Sequence, residues 1–70
     1  MKIQYFEDTD TLYVVFKESE IAETRDLDEN TLVEFDARGK LVSMTIEHAH
    51  ERTDVADISY SRVPSAKSMA

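Results

Sequence analysis

Short runs that alternate between apolar and polar residues, separated by polar turns, fill the first two thirds of the chain. The strongest run is residues 11–17, "TLYVVFK", which is rich in β-branched and aromatic residues and too short to favour a helix. Leu12 and Val14 share one side of this predicted strand, whereas Tyr13 and Val15 share the other. Apolar residues on both sides are typical of a strand in the middle of a sheet.

Four weaker runs surround this one, and each predicts a further strand: "KIQYF" from residue 2, "IAETRDL" from residue 21, "TLVEFD" from residue 31 and "LVSMTIEH" from residue 41. Glu23 and Arg25 interrupt the second of these, and charge of this kind is typical of an edge strand. The last run alternates, with Val42, Met44 and Ile46 on one side. The connections are short polar turns, among them "EDTD", whose acidic residues tolerate left-handed backbone angles, and "ARGK", whose glycine can take a positive φ. None has room for the helical crossover that parallel strands need. The first part of the chain, residues 1–52, is therefore predicted to be a five-stranded antiparallel meander.

The character of the sequence changes after this point. The segment "AHERTDVAD" predicts one or two turns of helix, and the small, polar end "PSAKSMA" predicts a frayed terminus. Residues 53–70 are therefore interpreted as a C-terminal extension that is partly flexible. The predicted fold class is mainly β, with a short C-terminal helix.

One sheet of five strands has two faces, and a chain of 70 residues has little to cover the second. Strand parity assigns Phe6, Tyr13, Val15 and Leu41 to that second face. Either the C-terminal segment or a second copy of the chain must cover it, and a two-fold homodimer is a natural solution. These four residues are thus the predicted contacts with a partner or within a dimer.

The charge balance limits the kind of partner. Fifteen carboxylates against eight Lys and Arg residues give a net charge of −7, which disfavours direct binding to nucleic acid. The chain has no cysteine, no apolar stretch that could span a membrane, and no secretory signal in "MKIQYFEDTD". We expect a cytoplasmic protein without a cofactor, whose acidic surface suits a basic partner or simply maintains solubility.

The segment "EHAHE" is the one stretch that could carry chemistry. If the strand continues, His48 and His50 lie on the same face, where Glu47 and Glu51 could help them to hold a metal or move a proton. If a helix begins near Ala49, the two histidines point apart. A zinc site needs three or four protein ligands, and the chain has no further histidine. Exposed polar residues at the end of a strand are the preferred interpretation, and no catalytic residue is predicted.

Several of these pieces together resemble a known family. The strand "TLYVVF", the tripeptide "AET" and the hairpin "VEFDARGKLVSMTIEHA" are similar to the small prokaryotic domain-of-unknown-function family numbered 2283, over residues 1 to about 52. The resemblance implies a short, mainly β protein without an assigned activity. Some members resemble antitoxins, which bind small toxins that look like RNA-cleaving proteins. The family pattern tends to carry an acidic residue and a serine at the two histidine positions, which implies a strand end, a buried Ala49 and a short helix.

The leading hypothesis is therefore a small, non-catalytic protein-binding module. Its most specific form is an antitoxin-like protein that binds a small basic RNase-like toxin. Two alternatives stay open. One is a metal-dependent or acid–base enzyme that uses the "EHAHE" segment. The other is a small structural homo-oligomer without a specific partner.

Overall fold

Five strands and one short 3-10 helix make up residues 1–64, the part of the chain that the computed structural model describes. The elements are β1 (Lys2–Phe6), β2 (Thr11–Val15), β3 (Glu23–Asp28), β4 (Thr31–Phe35), β5 (Leu41–Glu47) and the 3-10 helix (Ala49–Glu51). All strand pairs are antiparallel, and the strands form one open sheet. The predicted mainly β class and the five antiparallel strands are confirmed. No helix in this part of the chain has the length and apolar character to cross a membrane.

The order of the strands differs from the predicted meander. The order is β1-β2-β5-β4-β3, so β2 lies beside β5 and the segment after β2 crosses to the far edge of the sheet. The physical reason lies in the composition of β3, whose six residues are all exposed and mostly charged. The predicted meander would place β3 in the middle of the sheet, between β2 and β4, and bury part of those charges, whereas the edge leaves them in water. The prediction that charge marks this run as an edge strand is confirmed.

The pairing register divides the side chains into two faces. On one face Ile3, Val14, Met44 and Val33 lie in a row across four strands, and Tyr5, Leu12 and Ile46 form a second row beside it. We call this the apolar face. The opposite, mixed face carries the rows Gln4–Tyr13–Thr45–Leu32 and Lys2–Val15–Ser43–Glu34. The alternation that the sequence predicts within β2 and β5 is therefore confirmed.

The C-terminal part contains less regular structure than predicted. The expected helix is a single 3-10 turn, because only Ala49–Glu51 are helical and residues 53–64 contain neither helix nor strand. One turn has few internal hydrogen bonds, and packing must hold it in place. Val55 is half-buried, but Ile58, Tyr60 and Val63 are exposed. The last six residues of the predicted extension, 65–70, lie outside the described residues.

The core of the described residues is small. The buried apolar side chains are Val33, Val42 and Ala49, and the largest fully buried side chain is the polar Ser43. The Ser43 hydroxyl donates a 2.5 Å hydrogen bond to Glu34 Oε1 on the neighbouring strand, which satisfies the buried group. All five residues of β2 are only half-buried although the strand lies inside the sheet. The fold of one chain thus leaves much of its apolar surface partly in contact with water.

We expect Val33→Ala to destabilise the fold by about 2 kcal/mol, because it leaves a cavity at a position that is 3% exposed. Val63→Ala makes the same chemical change at a position that is 83% exposed and should have almost no effect. Urea unfolding of the two variants checks this difference. Equal effects of the two substitutions would show that Val33 is not the centre of the core.

Candidate functional site

The "EHAHE" segment is a strand end followed by one helical turn. β5 ends at Glu47, His48 takes a left-handed backbone conformation (φ 55°), and the 3-10 helix begins at Ala49. Ala49 is fully buried. The strand end, buried Ala49 and short helix that the family resemblance implies are all present, although the helix is a single turn.

The two histidines face different partners. His48 Nδ1 lies 3.5 Å from Glu51 Oε2, whereas His50 Nδ1 contacts the carboxylate of Asp10. They do not form the two-histidine pair that a continuous strand would present. Both imidazoles are largely exposed. The predicted cluster is therefore split, with His50 facing the turn between β1 and β2.

Asp10 is the residue that organises this end of the sheet. Its carboxylate accepts hydrogen bonds from the Tyr5 hydroxyl, from the His50 backbone N–H at 3.0 Å and from the His50 ring, while its own carbonyl accepts the Ala49 N–H at 3.0 Å. The Tyr5 hydroxyl, followed by the two donors of His50, holds the pKa of Asp10 below its usual range. Asp10 has a φ of 55°, which aspartate tolerates better than most residues. It joins the β1–β2 turn to the 3-10 helix, 40 positions later.

Sequence reasoning did not identify Asp10 as part of the site. The polar run "EDTD" does predict a turn whose acidic residues tolerate left-handed angles, and this is confirmed at Asp10. Nothing local indicates that its carboxylate meets the helix after β5, because that contact depends on β2 pairing with β5. The position of His50, two residues after the predicted strand end, is only a weak indication of this contact.

Three side chains of this region lie close enough to one another to bind one cation. Asp10, His48 and Glu51 each place a ligand atom within 4.8 Å of the others. Ligand atoms around a tetrahedral Zn²⁺ lie about 3.4 Å apart, given metal–ligand bonds of about 2.1 Å, and the 3.5 Å between His48 and Glu51 fits this spacing. Of the four residues that the sequence indicated, His48 and Glu51 belong to this group, whereas His50 and Glu47 do not. The Asp10 carboxylate already accepts three hydrogen bonds, which limits its capacity as a ligand.

Arg52 provides a second connection from the 3-10 helix to the sheet. Its guanidinium donates to both carboxylate oxygens of Asp28, at 3.0 and 3.3 Å, and to Thr31 Oγ1 at 2.6 Å. The pKa of Asp28 is lowered first by the backbone N–H of Asn30 and then by the Thr31 hydroxyl and Arg52. These contacts hold the chain after the helix against the β3–β4 turn.

Asp36 organises the opposite end of the sheet in the same way. One carboxylate oxygen accepts the backbone N–H groups of Arg38 and Lys40, each at 2.9 Å, and the other contacts the Lys17 ammonium. Lys17, then the N–H of Lys40 and that of Arg38, lower the pKa of Asp36 to about 2. Gly39 completes the turn with a φ of 78°, as its sequence position predicts. The "D-x-x-G" hairpin that carries much of the family resemblance is thus a structural turn.

The four predicted partner contacts do not all share one face. Phe6, Tyr13 and Val15 lie on the mixed face, as predicted. Leu41 pairs with Phe35, because an irregularity in the β4–β5 register follows Glu34. Phe35 continues the alternation of Val33 on the apolar face, so the face predicted for Leu41 is wrong. Contact of these four residues with a partner stays a prediction.

Charge is divided between the two ends of the sheet. The end with the β4–β5 turn, which we call the mixed-charge end, carries four cationic side chains, Lys2, Lys17, Arg38 and Lys40, and four carboxylates, Glu18, Glu20, Glu23 and Asp36. The acidic end contains the β1–β2 and β3–β4 turns and the end of β5, with the carboxylates Glu7, Asp8, Asp10, Asp28, Glu29, Glu47 and Glu51. One end of the sheet is therefore strongly acidic, whereas positive and negative charges are balanced at the other end.

This geometry defines a class of protein, a small open antiparallel β-sheet in which Asp10, Asp28 and Asp36 fix the ends of the strands. The model of the family described as "Protein of unknown function (DUF2283)" matches residues 2–50, which is most of the chain. The chain belongs to this family, and the predicted resemblance is confirmed. No curated protein and no solved structure matches it.

We expect Asp36→Asn to lower the melting temperature by about 5 °C at pH 6, since the amide replaces a carboxylate that holds Lys17 and the hairpin. The folded pKa of about 2 lies below the ordinary value of 3.8, so the carboxylate stabilises the fold above about pH 4. This stabilisation is lost as the pH falls towards 2. The melting temperatures of the wild type and the variant should therefore converge at low pH.

Thermal unfolding monitored by circular dichroism between pH 2 and pH 6 tests this expectation. Asp57→Asn, an exposed aspartate in the segment after the 3-10 helix, is the matched control and should leave the melting temperature unchanged. A difference between wild type and Asp36→Asn that persists unchanged at the lowest pH would show that another interaction is responsible.

Proposed function

We propose that this chain is a small, non-catalytic protein-binding module that works as a homodimer. The observation that supports this most strongly is the exposed apolar surface of the single chain. Eight large apolar side chains are exposed among the described residues: Met1, Ile3, Phe6, Ile21, Leu27, Ile58, Tyr60 and Val63. Three of them, Met1, Ile3 and Tyr60, line one cavity, and grouped exposed apolar side chains on a small protein are typical of a binding surface.

The accessible surface of the chain supports the same conclusion. It measures 5751 Å², whereas a compact monomer of 8.0 kDa exposes about 4,450 Å². An open sheet and the irregular residues 53–64 both expose more surface than a compact domain does. Each partner in a typical stable interface contributes about 800 Å².

The hydrogen bonds of the aspartate carboxylates support a non-catalytic role. Among the described residues, Asp10, Asp28 and Asp36 are the carboxylates with the most hydrogen-bond and ion-pair partners, and those partners belong to turns, to Lys17 and to the region of the 3-10 helix. A catalytic carboxylate needs oxygen atoms that can reach a substrate. Their lowered pKa values are accounted for by these structural donors.

The acidic surface favours a basic protein as a further partner of the dimer. The net charge of −7 would speed the approach of such a partner and help to select it. In the sharpest form of this proposal the protein is antitoxin-like, acts in the cytoplasm and binds a small basic toxin encoded beside it. The charge supports this form, and the family match leaves it open.

Sedimentation velocity of the purified chain, from low to high micromolar concentration, tests the homodimer. We expect a single species at twice the monomer mass at the upper concentrations, because association buries the exposed apolar surface. A monomer throughout would overturn the proposal. The same runs, repeated with the small protein encoded beside this chain, should give a heavier complex that high salt weakens if opposite charges bind the two.

A divalent-cation site is a second candidate, favoured by the closeness of Asp10, His48 and Glu51. If these residues bind Zn²⁺, the added metal should raise the melting temperature, and His48→Ala should abolish the rise. Glu47→Ala is the control, because Glu47 is a carboxylate of the same end of the sheet that lies outside the group and should leave the effect intact. Equal melting temperatures with and without Zn²⁺, Ni²⁺ or Mn²⁺ would contradict this cation site and any metal-dependent enzyme activity at it.

A further inference from the structure

The two edges of the sheet are built very differently. β3, at one edge, carries Glu23, Arg25, Asp26 and Asp28 and an irregularity in its register, and these features discourage pairing with another strand. β1, at the other edge, is "KIQYF", with one charged residue, no proline and a regular register along its whole length. Among the described residues no strand lies on the outer side of β1. One edge is therefore protected against pairing, and the other is open to it.

Exposed apolar side chains are concentrated at the open edge. Ile3 and Phe6 belong to β1 and are 40% and 47% exposed, and Met1 precedes it at 74%. Tyr60, 72% exposed, lines a shallow cavity together with Met1 and Ile3. Half of the exposed large apolar side chains of the described residues thus lie at or beside β1.

The charge distribution favours an antiparallel neighbour of the same kind. β1 runs from the mixed-charge end, at Lys2, to the acidic end, where Glu7 and Asp8 follow it. A second β1 in antiparallel orientation would keep the two acidic ends apart and place each of them beside the mixed-charge end of the other chain. Lys2 would then lie next to Glu7 and Asp8 of the second copy, and opposite charges at neighbouring positions stabilise a strand pair.

We infer that β1 pairs with β1 of a second copy of this chain, in antiparallel orientation, about a two-fold axis at Gln4. This inference rests on the proposed homodimer and identifies its interface. With Gln4 at the centre of Lys2–Phe6, Ile3 faces Tyr5 of the second copy, and Lys2 faces Phe6. The two sheets become one of ten strands, whose apolar faces are continuous and whose outer edges are both β3.

The alternative edge contacts are less favourable. A β3–β3 pair would bring together three carboxylates from each chain, and the one arginine of β3 is already bound to Glu23. A β1–β3 contact is head-to-tail and would continue into a filament rather than close as a dimer. The β1–β1 contact uses the same surface on both chains and closes after two copies.

A single cysteine tests the interface directly, because the chain has none of its own. Gln4→Cys places two thiols opposite each other, with Cβ atoms about 5 Å apart, within reach of a short bis-maleimide cross-linker. Thr24→Cys places a thiol in the middle of the other edge strand and is the matched control. We expect near-complete covalent dimer from Gln4→Cys and very little from Thr24→Cys.

The possible failures are distinguishable. A dimer in sedimentation that Gln4→Cys does not cross-link would overturn this interface and leave the proposed homodimer standing. A monomer at every concentration would overturn both. Equal cross-linking of the two variants would show that the reaction does not distinguish the two edges, and would also overturn the two-fold pairing at β1.

A charge exchange supplies a second test that does not depend on cross-linking. Phe6→Lys places a lysine opposite Lys2 of the second copy, and the two symmetric repulsions should weaken the dimer on the order of 10-fold. Lys2→Glu combined with Phe6→Lys replaces each repulsion by an attraction and should restore the dimer. Leu27→Lys adds the same charge on β3, where the side chain is 64% exposed, and should leave the dimer constant unchanged. Weakening by Leu27→Lys equal to that by Phe6→Lys, or no restoration by the double variant, would contradict the inference.

Discussion

The pairing of β2 with β5 is the contact on which the rest of the structure depends. It joins the β1–β2 hairpin to the β3–β4–β5 meander, and it aligns Leu12 with Ile46 and Val14 with Met44 on the apolar face. It also brings the β1–β2 turn to the end of β5, where the Asp10 carboxylate can hold the 3-10 helix. Without this pairing the two halves of the sheet would have neither a shared core nor this polar connection.

The same pairing determines what each edge of the sheet presents. With β2 and β5 in the middle, the charged β3 and the mainly uncharged β1 are left at opposite edges. Three buried apolar side chains make a small core for the described residues, and small domains often gain stability by association. The proposed homodimer follows from this balance: the chain forms a sheet by itself, and pairing with a second copy at β1 would remove exposed apolar side chains of that edge from water.

Local patterns were sufficient to predict the strands, the two sides of β2 and β5, the glycine turn and the edge position of β3. Each of these depends on residues close together in sequence, where alternation and turn chemistry act. The strand order was predicted incorrectly, since it is a competition between distant strands for the middle of the sheet. The face of Leu41 was wrong because one irregularity in register reverses parity, and nothing in the sequence marks its position.

The candidate site shows the same division between local and distant effects. Sequence identified the histidines, but the residue that organises their surroundings is Asp10, 40 positions before His50. The pair His48–Glu51 is local and was within reach of prediction, whereas the bond from Asp10 to His50 exists only in the folded sheet. Likewise, Asp36 could be assigned to a turn from "DARG", but its contact with Lys17 depends on the neighbouring β2–β5 pair.

Hydrogen exchange of the backbone amides, measured at low and high protein concentration, tests the central claim most directly. The outward N–H groups of β1 are open to water in the single chain and become hydrogen-bonded when a second β1 pairs with it. Our account predicts that protection at residues 2–6 rises with concentration while residues 23–28 exchange at the same rate in both samples. Protection that rises at residues 23–28, or that is independent of concentration at both edges, would contradict it.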